Sequence, residues 1–123
     1  MLRALEPMDG IDHMRQVRSA NKKKVPVDDF PLKNLCSGPS KFCQALHIDK
    51  PTINELDLTG SDVIWLEEGL AVADDDVIVS TRIGIEGAGP EAAAKPWRFY
   101  VRGNAHVSKR DRKAEQLTAT KTD

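Results

Sequence analysis

Cys36-Ser37-Gly38-Pro39-Ser40-Lys41-Phe42-Cys43-Gln44-Ala45-Leu46 reads as a small-residue loop running into a helix. Pro39 suits the first helical position, where a missing N–H costs nothing. Gly38 or Ser37 can cap it. Phe42, Ala45 and Leu46 follow at i, i+3 and i+4, so they are expected to face a core. The helix should end near His47-Ile48-Asp49-Lys50-Pro51, where proline stops it. Free N–H groups and the positive end of the helix dipole at such an entrance favour an anion. Lys41 sits in the first turn, where the dipole alone would prefer an acid, which makes sense beside an anion. The other reading is an ordinary capped helix with a solvated lysine.

Outward from this helix, composition sets bounds. The 123 residues make one domain at most, and 40% hydrophobic with 5% aromatic residues fill only a modest core. The net charge of −1 conceals an asymmetry. Residues 1–50 carry nine Lys/Arg against six Asp/Glu, residues 51–96 two against ten, and residues 97–123 seven against three. Basic ends around an acidic middle suggest a face for a polyanion, or else solvated loops that cluster by sign. Cys36 and Cys43 flank one helix entrance, would not bridge easily and fit an intracellular protein with free thiols. His13, His47 and His106 are scattered, so no metal site and no cofactor are expected. No apolar run approaches a membrane span, so no membrane partner is expected either.

Toward the N-terminus, Met1-Leu2-Arg3-Ala4-Leu5-Glu6-Pro7 reads as the tail of a strand without a lead-in, as in a chain that starts in the middle of a domain. Asp9 can cap a helix whose stripe is Ile11, Met14 and Val17, with His13 off the stripe. Ser19 to Asn34 reads as loop; its Lys22-Lys23-Lys24 run is either solvated or tracks phosphates.

Toward the C-terminus, Val63 to Glu67 reads as a strand and Asp74-Asp75-Asp76 as a turn. Val77 to Ile85 is the clearest strand, with Val77, Val79, Thr81, Ile83 and Ile85 on one face and Ile78, Ser80, Arg82 and Gly84 on the other. Gly84 within it marks a bulge or a close backbone approach. Glu86 to Pro96 is a Gly/Ala loop. Trp97 to Gly103 is a last strand, with Trp97, Phe99 and Val101 opposite Arg98, Tyr100 and Arg102. That basic, aromatic face either meets nucleic acid or is the wet side of a sheet. Asn104 to Arg112 reads as a polar cap or short helix, and residues 114–123 as a disordered tail.

Three stretches in this order resemble one family. They are Leu2-Arg3-Ala4-Leu5-Glu6-Pro7, then Leu35-Cys36-Ser37-Gly38-Pro39-Ser40-Lys41 through Ala45-Leu46, then Arg82-Ile83-Gly84-Ile85 leading to Lys95-Pro96-Trp97-Arg98-Phe99-Tyr100-Val101-Arg102-Gly103. Together they resemble the C-terminal part of an alkyladenine (3-methyladenine) DNA glycosylase, over the chain to about Gln116. The resemblance implies an α+β fold, part of a single mixed domain built on a curved antiparallel sheet with peripheral helices. Residues 1–113 would be the C-terminal portion of that domain, with its N-terminal half missing.

The activity implied is base-excision repair of alkylated or deaminated purines. The damaged nucleotide is flipped out of double-stranded DNA and water hydrolyses its N-glycosidic bond. Arg3 matches an arginine that helps hold the attacking water, and the Ile83 backbone carbonyl matches a second contact to it. Buried pairing in a structural ion pair is the other role open to Arg3. Gly38, Ser40 and Lys41 match the helix entrance that grips a DNA phosphate, and Lys50 a further backbone contact. The family's glutamate general base, its tyrosine wedge and the residues that stack on the flipped base have no counterpart here. Glu6 matches a different position. The chain alone is therefore expected to be inactive, and, if folded, a monomer acting in the nucleus. The alternatives are a fragment that binds DNA backbone without chemistry, and a truncated product that does not fold.

Overall fold

The computed structural model describes residues 1–22 and 25–120. Lys23 and Lys24, and with them most of the lysine run, lie outside the described residues, as do 121–123. The fold is α+β: among the described residues there are five short α-helices, three 3-10 turns and one two-stranded antiparallel sheet. The chain divides into two compact units, Met1–Gly69 and Leu70–Asp123.

The first unit is helical. Helix α1 spans Ile11–Ala20 and α2 spans Pro39–Ala45, followed by the single turn α3 at Lys50–Ile53. The cap of α1 is Gly10 rather than Asp9, because the chain enters with φ 67°, a left-handed conformation that glycine takes without strain. Met14, Phe30, Leu35, Cys36, Phe42 and Ala45 form the core, with Leu5, Ile11 and Ile48 packed against it. Leu35 is fully buried. Leu46, expected inside, is exposed: it is already the C-cap of α2, beyond the last helical residue Ala45.

Arg18 is buried in this core. Its guanidinium donates to Gln44 Oε1 at 2.5 Å and lies 5.3 Å from the centroid of the Phe30 ring. Burial lowers its pKa, partly opposed by the neighbouring Cys36. Burial raises the Cys36 pKa, so this sulfur is a thiol and not an activated thiolate.

Neither Met1 to Pro7 nor Val63 to Glu67 forms a strand. A strand needs a hydrogen-bonding partner. In the first stretch the Leu5 N–H donates to the Cys36 carbonyl, and no strand ladder forms among the described residues. In the second, the Ser61 hydroxyl accepts the Val63 and Ile64 N–H groups and the Leu58 carbonyl accepts the Leu66 N–H, which makes turns and not a ladder.

In the second unit β1 is Val77–Ser80 and β2 is Arg98–Val101, paired antiparallel with Val77 opposite Val101 and Ser80 opposite Arg98. The expected strand to Ile85 stops at Ser80, where its partner begins. Gly84 is thus in a turn, at φ 73°. The Gly/Ala loop contains a short helix, α4, at Pro90–Ala94. Residues Arg112–Ala119 form α5, where a disordered tail was expected from 114. Asp111 supplies the missing signal: its side chain accepts the Ala114 N–H and caps the helix.

Of the two faces of the sheet, the one that carries Ile78, Ser80 and Tyr100 turns inward. Ile78 and Ser80 are buried, whereas Val79 and Phe99 are exposed. The reason is polar. The Ser80 hydroxyl donates to Asp111 Oδ2, the Asp111 N–H donates to the Tyr100 hydroxyl at 2.7 Å, and the Tyr100 hydroxyl donates to Glu115. Arg110 forks onto both Glu115 oxygens at 2.8 Å. These bonds draw the Ser80/Tyr100 side against α5.

Candidate nucleic-acid interface

The entrance to α2 is built as its residues dictate. Pro39 opens the helix and the Gly38 carbonyl accepts the Phe42 N–H at 3.0 Å. Gly38 is extended, with φ −170°, a conformation open to any residue. A Cβ there would meet the Lys41 stem at 3.5 Å, an ordinary contact. The Lys41 stem therefore folds back over Gly38, and its ammonium donates to the Ser37 hydroxyl at 3.3 Å. This contact holds a positive charge at the helix entrance. The Ser37 role escaped the sequence reading, although the i, i+4 spacing to Lys41 was there to be seen. Ser40 is exposed.

Lys50 is the first residue of α3 and is exposed. The Asp49 cap beside it accepts from the Thr52 hydroxyl and N–H, which hold its carboxyl below the usual carboxylate range.

Arg3 lies in the same unit. It is exposed, and among the described residues no hydrogen bond or ion pair engages it. The Leu5–Cys36 bond places its segment alongside the residues that lead into α2. Arg3 and the Gly38–Lys41 entrance thus share one backbone junction.

Ile83 belongs to the second unit, in the turn before Gly84. Among the described residues no hydrogen bond uses its carbonyl, which leaves that oxygen able to accept. The basic, aromatic face of the last strand is not an open platform. Arg98 stacks on Tyr100 at 4.8 Å, and Arg102 is held by the Asp75 and Glu115 carbonyls. Arg82 instead lies over the exposed Trp97 ring at 5.1 Å. Among the described residues no group of three or more His, Cys, Asp or Glu side chains gathers as a metal site, and no helix is long and apolar enough to cross a membrane.

Residues 1–105 match the family model described as methylpurine-DNA glycosylase. The chain is 47% identical over 119 residues to the DNA-3-methyladenine glycosylase of Homo sapiens, covering 96% of this chain and 39% of that protein. It is 46% identical to the Mus musculus protein of the same name, of which it covers 35%. Against a putative 3-methyladenine DNA glycosylase of Carboxydothermus hydrogenoformans the identity is 39% over 110 residues, covering 89% of this chain and 50% of that protein. The chain thus spans half or less of the length of these relatives. A match over residues 1–105 of the 123 places the chain in the methylpurine-DNA glycosylase family.

Proposed function

We propose that residues 1–113 are the C-terminal portion of a DNA N-glycosylase domain that excises alkylated or deaminated purines. The observation that carries this reading is the family match over residues 1–105. In the proposed reaction the damaged nucleotide of double-stranded DNA is flipped from the stack. Water attacks the sugar carbon, the N-glycosidic bond breaks and the base leaves. The nucleophile is water, so the step calls for no cofactor.

In this reading Gly38, Ser40 and Lys41 receive one DNA phosphate and Lys50 a second. Such contacts position the duplex without reading its sequence. The Lys41 ammonium, held by the Ser37 hydroxyl at the helix entrance, supports the first. Arg3 and the Ile83 carbonyl hold the attacking water, and the absence of a partner for Arg3 among the described residues fits an arginine that serves a ligand. A carboxylate must complete the site as general base. No residue of this chain matches that carboxylate, so the 123-residue chain acting alone binds DNA backbone but does not excise. Its place of action is the nucleus, where the substrate resides, and it works as a monomer.

Incubation of the purified chain with duplexes carrying hypoxanthine or ethenoadenine tests this. The expected result is salt-sensitive binding with no abasic product. Excision by the chain alone would overturn the inactivity; a folded chain without salt-sensitive binding would overturn the phosphate grip.

A further inference from the structure

The Nε2 atoms of His13 and His47 stand 3.2 Å apart, although 34 positions separate the residues in sequence. Both side chains are exposed, with ring centroids 5.4 Å apart and planes tilted by 39°. Two ligand bonds of about 2.0–2.1 Å meeting at a near-tetrahedral angle put their nitrogens about 3.3 Å apart. The pair therefore has the spacing of two ligands on one ion.

The scaffold under the pair is fixed. His13 precedes Met14, whose side chain is in the core, and α1 is tied to α2 by the Arg18–Gln44 bond. His47 closes α2. The Ile48 N–H donates to the Cys43 carbonyl at 2.8 Å and the His47 N–H to the Gln44 carbonyl at 3.3 Å. This is a Schellman closure with His47 at the left-handed position, φ 54°. Glycine is the usual occupant there, and a non-glycine residue is held at a cost. What the histidine brings in exchange is an imidazole aimed at His13.

We propose that His13 and His47 form a two-imidazole site for a divalent transition-metal ion of the zinc and nickel class, apart from the residues assigned to DNA. Imidazole nitrogen suits these ions, whereas Mg²⁺ prefers oxygen. On binding, a ring now carrying its proton on Nε2 carries it on Nδ1 instead. A small rotation of both exposed rings turns the two lone pairs to one point. With no third side chain of the ligating types gathered there among the described residues, water fills the remaining positions and the ion exchanges freely.

The test is calorimetric titration of the full chain with Zn²⁺ and with Ni²⁺. The expected result is one ion per chain, unaffected by excess Mg²⁺, with affinity falling by about tenfold or more in both His13→Ala and His47→Gly. His47→Gly suits the left-handed backbone and His13→Ala a helix surface, so both variants fold. Wild-type affinity in either variant, or no saturation by about 1 mM metal, would overturn the site. In the complex, NMR should shift the ring protons of His13 and His47 together; a shift confined to His106 would also overturn it.

Discussion

The Leu5 N–H donates to the Cys36 carbonyl at 3.0 Å, and this bond sets the segment of Arg3 against the loop that enters α2. Its acceptor is anchored by burial: Leu35 is fully inside and Cys36 almost so. Truncation of Leu35 removes the best-packed side chain of the unit. Leu35→Ala is expected to destabilise it by about 2–5 kcal/mol. Urea unfolding measures the loss, and amide exchange at Leu5 reports the junction. Slow exchange of Leu5 in the wild type and fast exchange in the variant is the expected pair of results. A Leu5 amide that exchanges at the free-chain rate in the wild type would contradict the junction.

At the other end of that loop, Lys41 and Ser37 make separable predictions. Each phosphate neutralised by a lysine contributes about 0.9 to the slope of log affinity against log salt. Lys41→Ala should therefore flatten the slope by about one unit. Ser37→Ala keeps the charge but frees the ammonium, so affinity should fall modestly with the slope unchanged. Fluorescence anisotropy of a labelled duplex between low and high salt checks both. Equal slopes for Lys41→Ala and the wild type would remove Lys41 from the phosphate contact.

The second unit should be sensitive to acid. The Ser80 hydroxyl and the Ala114 N–H hold the Asp111 carboxyl below its usual range. Arg110, then Tyr100, does the same for Glu115, against some opposition from desolvation. A carboxyl whose pKa is lower folded than unfolded stabilises the fold above the unfolded value of about 4 and loses that contribution as pH falls through the folded value. The unit should therefore be at full strength at neutral pH and weaken progressively below pH about 4. Asp111→Asn keeps a good helix cap and removes one titrating group, so its stability should depend less on acid pH. Melts of both proteins followed by circular dichroism decide the matter.

The sequence made the α2 entrance legible because its signals are local: proline at the first helical turn, small residues before it, and apolar residues at helical spacing. The two paired strands were placed but drawn too long, because periodicity does not say where a partner runs out. Ser80 is the case in point. Which face turns inward was hidden for a related reason. Alternation separates Val77 and Val79 from Ile78 and Ser80 without ranking the two sides, and only Asp111, 31 positions from Ser80, and Glu115, 15 from Tyr100, turn the polar side inward. The first helical cap shifted by one residue because Gly10 outbids Asp9 once the chain enters at positive φ. Family motifs named Arg3, Ile83 and the lysines, whereas the His13–His47 contact depends on how α1 packs on α2 and no local pattern encodes it.

Arg3 separates a functional from a structural role most sharply. An arginine buried in an ion pair would cost several kcal/mol on truncation. Arg3 is exposed and unpaired among the described residues, so Arg3→Ala should leave the unfolding midpoint within about 0.5 kcal/mol of the wild type. The effect should appear in chemistry instead. The setting is a chimaera in which the human relative supplies the part of its length that this chain does not cover, which on the proposed reading includes the general base. In that chimaera Arg3→Ala should lower single-turnover excision of hypoxanthine by about tenfold or more while the affinity for the duplex stays nearly constant, since a water-holding group acts on the transition state. Loss of stability without loss of excision would make Arg3 a structural residue. Loss of duplex affinity with an unchanged excision rate would move it to the phosphate contacts beside Lys41.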